Sequence, residues 1–231
     1  MSEARIWEVI EAFARGAGLA QELGFDGVEL HGAHGYLIDQ FFWKGTNQRA
    51  DDWGGDCGRR SRFGAEIVRA VRAATRPDFP VILRWSQWKM GDYTVKLAPD
   101  PATLEAFLKP LAQAGVTAFH CSTRRFWEPE FPASGSHLNL AGWTKKVTGL
   151  PTVTVGSVGL SRADSLEERA NTVDISTEHL AALIRGLRQG EFDLIAVGRA
   201  LLANPAWAAL VRDRRFSELQ PYSAAAPEAL A

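Results

Sequence analysis

Gly27-Val28-Glu29-Leu30-His31, followed at once by Gly32-Ala33-His34-Gly35-Tyr36-Leu37, is a short apolar strand that ends in a cluster of polar rings. In front of it, residues 3–22 carry Ile6, Ile10, Phe13, Ala14, Ala17 and Leu19 at helical spacing, with Gly24 as the stop. Behind it the same alternation recurs. Residues 59–75 predict a helix, 80–84 a buried strand closing on Arg84, 100–114 a helix and 116–120 a strand. Then follow a short helix over 140–148, a strand over 151–155, a helix over 177–189, a strand over 192–197 and a helix over 199–212. Short apolar strands separated by helices pair in parallel through right-handed crossovers, in an open doubly wound sheet or in a barrel. His31, Arg84, Ser122, Gly156 and Gly198 each fall at or just past the end of a strand. A barrel builds its site from several strand ends, whereas an open sheet concentrates it at one switch point. The expectation is therefore an α/β fold, a (β/α)8 TIM barrel of which five units are present and three strands are missing.

Composition fits one domain. The chain has 231 residues, 46% apolar and 23% charged, with 26 basic against 27 acidic side chains. A barrel of this kind typically needs about 250 residues. Interspersed charge of near-zero sum argues against nucleic acid or an anionic membrane as partner. The two cysteines, Cys57 and Cys121, cannot build a disulfide framework or a four-thiolate metal site, which points to a reducing, cytoplasmic setting. The N-terminus lacks a signal-peptide layout, and no apolar run is long enough to span a bilayer. Residues 1–222 are expected to form the partial barrel, and 223–231 a flexible Ala-rich tail.

His31 and His34, three residues apart, can converge as donors on one oxygen, and Tyr36 can reach a neighbouring carbon as a proton donor. The bare pattern leaves open a metal pair or two structural histidines. No third ligand at metal-binding spacing accompanies the pair, so no metal is expected.

The run from Gly24 to Phe41 resembles the old yellow enzyme family of FMN-dependent ene-reductases, also described as NADH:flavin oxidoreductases. Asn47, Arg49, Asp51, Gly54, Gly55, Arg60, Arg62 and Phe63 continue that pattern. Arg84-Trp85-Ser86, Val155-Gly156-Ser157-Val158-Gly159 and Val197-Gly198-Arg199, with Asn204-Pro205, follow in the family's order. The resemblance implies that His31 and His34 hold the carbonyl or nitro oxygen of an activated alkene and stabilise enolate-like charge. It implies Tyr36 as proton donor, FMN as hydride source, and NADH or NADPH as reductant. Arg84 would face the N1 and O2 edge of the flavin, and Gly156, Ser157, Gly198 and Arg199 its phosphate, with the helix dipole from Ala200 assisting.

The family's first three strands have no counterpart here. The alternative is thus a non-catalytic half-barrel that binds flavin only with a partner segment, supplied as a homo-oligomer or a complementing chain. An aldolase reading would need a Schiff-base lysine at a strand end, and Lys89 is expected several residues beyond one. Trp43, Trp53, Trp85, Trp88, Phe126 and Trp127 are expected in loops, as a substrate slot or as packing. Cys121 reads as a core thiol, Cys57 as exposed, and His137 and His179 as surface residues.

Overall fold

The computed structural model describes residues 1–162 and 173–223, so the expected tail lies outside the described residues beyond Ser223. Helix α1 (Glu3–Glu22) begins where the Ser2 hydroxyl accepts the Arg5 N–H at 3.3 Å. It buries Ile6, Ile10 and Ala17, and the chain turns away at Gly24, whose φ of +85° a side chain would strain. Then come β1 (Val28–His34), α2 (Leu37–Phe42), α3 (Cys57–Arg60), α4 (Arg62–Ala74), β2 (Val81–Lys89) and α5 (Pro101–Gln113). The chain continues through β3 (Ala118–Ser122), α6 (Leu140–Thr148), β4 (Thr152–Val155), α7 (Thr177–Arg188), β5 (Leu194–Ile195), α8 (Arg199–Ala203) and α9 (Trp207–Arg212). Asp56, Asp100, Asn139 and Ser176 cap α3, α5, α6 and α7 with side-chain oxygens.

The five strands form one parallel sheet in the order β1-β2-β3-β4-β5, consistent with a partial barrel and not closed into a ring. Among the described residues β1 and β5 each pair on one side only. The helices cover one face. Leu30, Leu83, Trp85, Phe119, Cys121, Thr152 and Thr154 are buried there, and Trp85 meets Phe107 of α5 at 5.5 Å between ring centroids. The other face carries Glu29 and His31, then Ile82 and Arg84, then Ala118 and His120, then Val153 and Val155. Its residues on β1 and β2 are exposed or half-buried. In register, His31 lies beside Arg84, Arg84 beside His120, and His120 beside Val153. One row across the sheet thus holds two imidazoles and a guanidinium.

Several boundaries differ from the sequence reading, each for a local reason. Strands β1 and β2 run past His31 and Arg84 to His34 and Lys89, so both residues sit inside their strands. A register shift between Gly32 and His34 accommodates the polar extension. The helix read at 59–75 breaks at Ser61, whose hydroxyl donates to the Gly58 carbonyl at 2.6 Å. The helix read at 199–212 breaks at Asn204-Pro205, because the residue before a proline is pushed out of helical geometry and Asn204 has ψ of 85°. Strand β5 keeps two paired residues of the six expected, being an edge supported from one side.

Three side-chain expectations change as well. Trp53 and Trp85 are fully buried core residues, and Trp85 and Trp88 lie on β2, not in loops. Cys57 is half-buried at the start of α3, its thiol donating to the Leu97 carbonyl, and burial raises its pKa. His179 is half-buried on α7, stacked on Trp127 at 3.5 Å, whereas His137 is exposed and hydrogen-bonded to Glu191. Cys121 is fully buried, which pushes its thiol up to about 12.

Candidate functional site

At the C-terminal end of β1 the chain turns through two consecutive left-handed residues, His34 (φ 63°) and Gly35 (φ 83°), into α2. This turn gathers three rings. The His31 ring centroid lies 5.2 Å from that of His34 and 5.0 Å from that of Tyr36. The His34 N–H donates to Ser86 Oγ at 3.0 Å, its Nε2 is 2.8 Å from Ser122 Oγ, and its ring stacks on Trp88 at 4.3 Å. Tyr36 is 52% exposed, so its phenol faces open space beside His31.

Burial is the largest influence on both imidazoles. It lowers the His31 pKa, reinforced by the Arg84 charge. His34, more enclosed and facing Arg84, His31, Lys89 and His120, is pushed down to about 3, which makes it a neutral ring at physiological pH. In the same row the His120 Nδ1 is 2.8 Å from Glu29 Oε2; burial raises the Glu29 pKa, and the pairing with His120 outweighs it and lowers the value.

Beside the rings opens a cleft of about 480 Å³, within the 300–1,000 Å³ usual for small-molecule sites. Its walls include His34, Arg84, Ser122, Ser157, Gly198 and Arg199. Three arginines, Arg84, Arg124 and Arg199, line it with no carboxylate among the described lining residues, although the chain as a whole carries a net charge of −1. The Arg84 Nε is buried with no hydrogen-bond partner among the described residues. Leaving such a donor unmatched is costly, and an acceptor edge of a bound group would satisfy it.

At the far end Gly156 (φ 140°) and Ser157 (φ 50°) form a left-handed turn after β4. A Cβ on Gly156 would lie 2.6 Å from the Thr123 carbonyl oxygen, so only glycine fits there. At Gly198 a Cβ would meet nothing within 4 Å, leaving open space at the start of α8. That helix has five residues, so its dipole makes only a minor contribution to holding an anion there. The Ser157 hydroxyl donates to the Arg124 carbonyl at 3.0 Å. Taken together, the orphaned guanidinium N–H, the acid-free lining and the open glycine fit an anionic, planar cofactor such as FMN.

The cleft thus brings His34, Arg84, Ser157, Gly198 and Arg199 to one wall system, with Gly156 in the adjoining turn. His31 and Tyr36 are not among the lining residues; His31 adjoins the cleft through its contact with His34, and Tyr36 through its contact with His31. Residues with no such role in the sequence reading also matter. Ser86, Ser122 and Trp88 position His34, and Asp39 and Lys89 form a buried ion pair under the turn. Ending β2 at Arg84 hid Lys89, which is the last residue of the strand; bound to Asp39, its ammonium is no free amine for a Schiff base. Among the described residues no group of three or more His, Cys, Asp or Glu could hold a metal, and no helix is long and apolar enough to cross a membrane.

Residues 1–218 match the NADH:flavin oxidoreductase / NADH oxidase family, and the chain belongs to that family, the old yellow enzyme family of the sequence reading. It is similar to an NADH oxidase of Thermoanaerobacter brockii, at 34% identity over 93% of this chain and 30% of that protein. A cinnamate reductase of Clostridium sporogenes is 30% identical over 93% of this chain and 32% of its own length. For an NADPH dehydrogenase of a Geobacillus species the figures are 33%, 90% and 54%. The chain therefore spans about a third to a half of the length of these relatives.

Proposed function

We propose that this chain carries the substrate-polarising and phosphate-binding parts of an FMN-dependent NAD(P)H oxidoreductase that reduces activated C=C bonds of enones or related alkenes. The observation that carries the reading is the meeting of the His31, His34 and Tyr36 rings beside a cleft lined by His34, Arg84 and Arg199, with no carboxylate among its described lining residues. When bound, reduced FMN supplies the hydride that no side chain can supply. The two imidazoles hold the carbonyl or nitro oxygen of the alkene. Both are neutral rings with one N–H each, and in the tautomer where the Ser122 hydroxyl donates to His34 Nε2 the ring proton sits on Nδ1. Charge that develops on that oxygen meets preorganised N–H groups, reinforced by the positive field of Arg84. Tyr36 gives its phenolic proton to the α-carbon and recovers it from solvent, to which it is open. Arg84, with its orphaned Nε, would hold an acceptor edge of the flavin, and Gly156, Ser157, Gly198 and Arg199 would hold its phosphate. The free thiols fit a reducing, cytoplasmic setting.

A second reading rests on the free edge of β1. A groove of about 610 Å³ runs between α1 and β1, lined by Val9, Phe13, Val28 and Leu30 among others, beside the half-exposed face of the sheet. In this reading the chain is a half-barrel that takes up flavin only when a partner segment or second copy pairs there.

The test is the visible spectrum and flavin content of the protein as isolated, followed by NAD(P)H oxidation with 2-cyclohexenone. Wild-type protein should be yellow. Tyr36→Phe and His31→Ala should each slow enone reduction, by roughly 10²-fold or more. A colourless, aggregating protein supports the half-barrel. A His31→Ala variant that reduces enone at the wild-type rate removes the oxyanion role.

A further inference from the structure

Beneath the turn that carries the three rings, Lys89 Nζ and Asp39 Oδ1 lie 2.6 Å apart, with side chains 3% and 0% exposed. Burial penalises both charges: it raises the Asp39 pKa and lowers that of Lys89, and their mutual attraction opposes each shift. An apolar pair of similar volume would serve packing as well, so so costly an arrangement needs another reason. Its hydrogen bonds supply one. The second carboxylate oxygen, Asp39 Oδ2, accepts the Gly35 N–H at 2.6 Å, between His34 and Tyr36. Lys89 also reaches the Ser86 carbonyl at 3.4 Å, and Ser86 Oγ accepts the His34 N–H at 3.0 Å. The Met90 N–H donates to the His34 carbonyl at 3.3 Å. A non-glycine residue in the left-handed region, as at His34, persists only where its surroundings hold it. Among the described residues, the exposed Tyr36 ring has no such hold beyond its contact with His31.

We propose that Asp39 and Lys89 are positioning residues for the proton donor: anchored at the end of β2, the pair clamps the Gly35 amide and so keeps the Tyr36 phenol beside His31. The proposal rests on the reading of Tyr36 as proton donor. Asp39→Ala with Lys89→Met removes both charges and the acceptor for Gly35, whereas Asp39→Asn with Lys89→Met restores an acceptor oxygen of the same shape. The first readout needs no flavin. In proton NMR the His31 ring signals carry a ring-current shift from Tyr36, identified by its loss in Tyr36→Ala. That shift should collapse in the Ala/Met protein and return in the Asn/Met protein.

The second readout is alkene reduction by the FMN-loaded protein. The Ala/Met change should lower kcat about 10- to 100-fold with KM altered less than about threefold. It should lower kcat no further in a Tyr36→Phe background. Should the Ala/Met protein fail to fold, Asp39→Leu with Lys89→Met, an apolar pair of closer volume that likewise offers Gly35 no acceptor, gives the same two readouts. An unchanged His31 shift, or an equal fall in rate in the Tyr36→Phe background, overturns the proposal. If instead Tyr36→Phe alone leaves alkene reduction at the wild-type rate, the proton-donor reading fails, and the NMR arm still decides whether the pair holds the turn.

Discussion

Replacing Arg84 with methionine separates what this guanidinium does for the fold from what it does for a ligand. The side chain is half-buried in the middle of β2, in register with His31 on one side and His120 on the other, and its Nε is enclosed with no partner among the described residues. In the unliganded protein that donor is a liability, so Arg84→Met, which keeps most of the stem volume, should leave stability unchanged or slightly raised. Flavin binding should respond in the opposite sense. One charge-assisted hydrogen bond contributes about 1.5–3 kcal/mol, which corresponds to a rise of about 10- to 150-fold in the Kd for FMN. A third consequence is electrostatic: Arg84 lowers the pKa of both His31 and His34, so both should titrate at higher pH in the variant. The assays are fluorescence quenching of FMN at fixed ionic strength, thermal unfolding by circular dichroism, and histidine titration by NMR. An FMN affinity within twofold of wild type, in a variant that still folds, would refute the assignment of Arg84 to the cofactor edge.

Gly156→Ala should destabilise by about 1–3 kcal/mol or more, because it puts a Cβ against the Thr123 carbonyl at φ of 140°, and should weaken flavin binding with it; urea unfolding and FMN titration check both. Phe107→Ala removes a fully buried ring packed on Phe42 and Trp85, and unfolding should show a loss of about 3–5 kcal/mol. For pH, His34 is held at about 3 against 6.5 when free. Between those values the unfolded chain takes up a proton that the native chain refuses. The contribution of His34 is therefore complete above about pH 6.5 and is lost as pH falls toward 3. In NMR the His34 ring should show no titration between about pH 8 and 5, the range in which an ordinary histidine responds; a midpoint near 6.5 would contradict the enclosure described for it.

The sequence by itself determined the order of elements and their type, because apolar periodicity and capping residues are local. Helix α1 and helix α6 run over residues 3–22 and 140–148, the spans read from apolar spacing and, for α1, from Gly24. It also determined which residue types stand near strand ends, and so which family the chain resembles. What only the tertiary structure decided depends on partners distant in the chain. The extension of β2 to Lys89 comes from pairing with His34 across the sheet, and it turns a lysine expected beyond the strand into the partner of Asp39. The enclosure of His34 is set by Ser86, Ser122 and Trp88, which approach from two other strands. The orphaned donor of Arg84 and the open edge of β1 belong to the same class, since whether a polar group is satisfied is a property of everything that surrounds it and of no single stretch of chain.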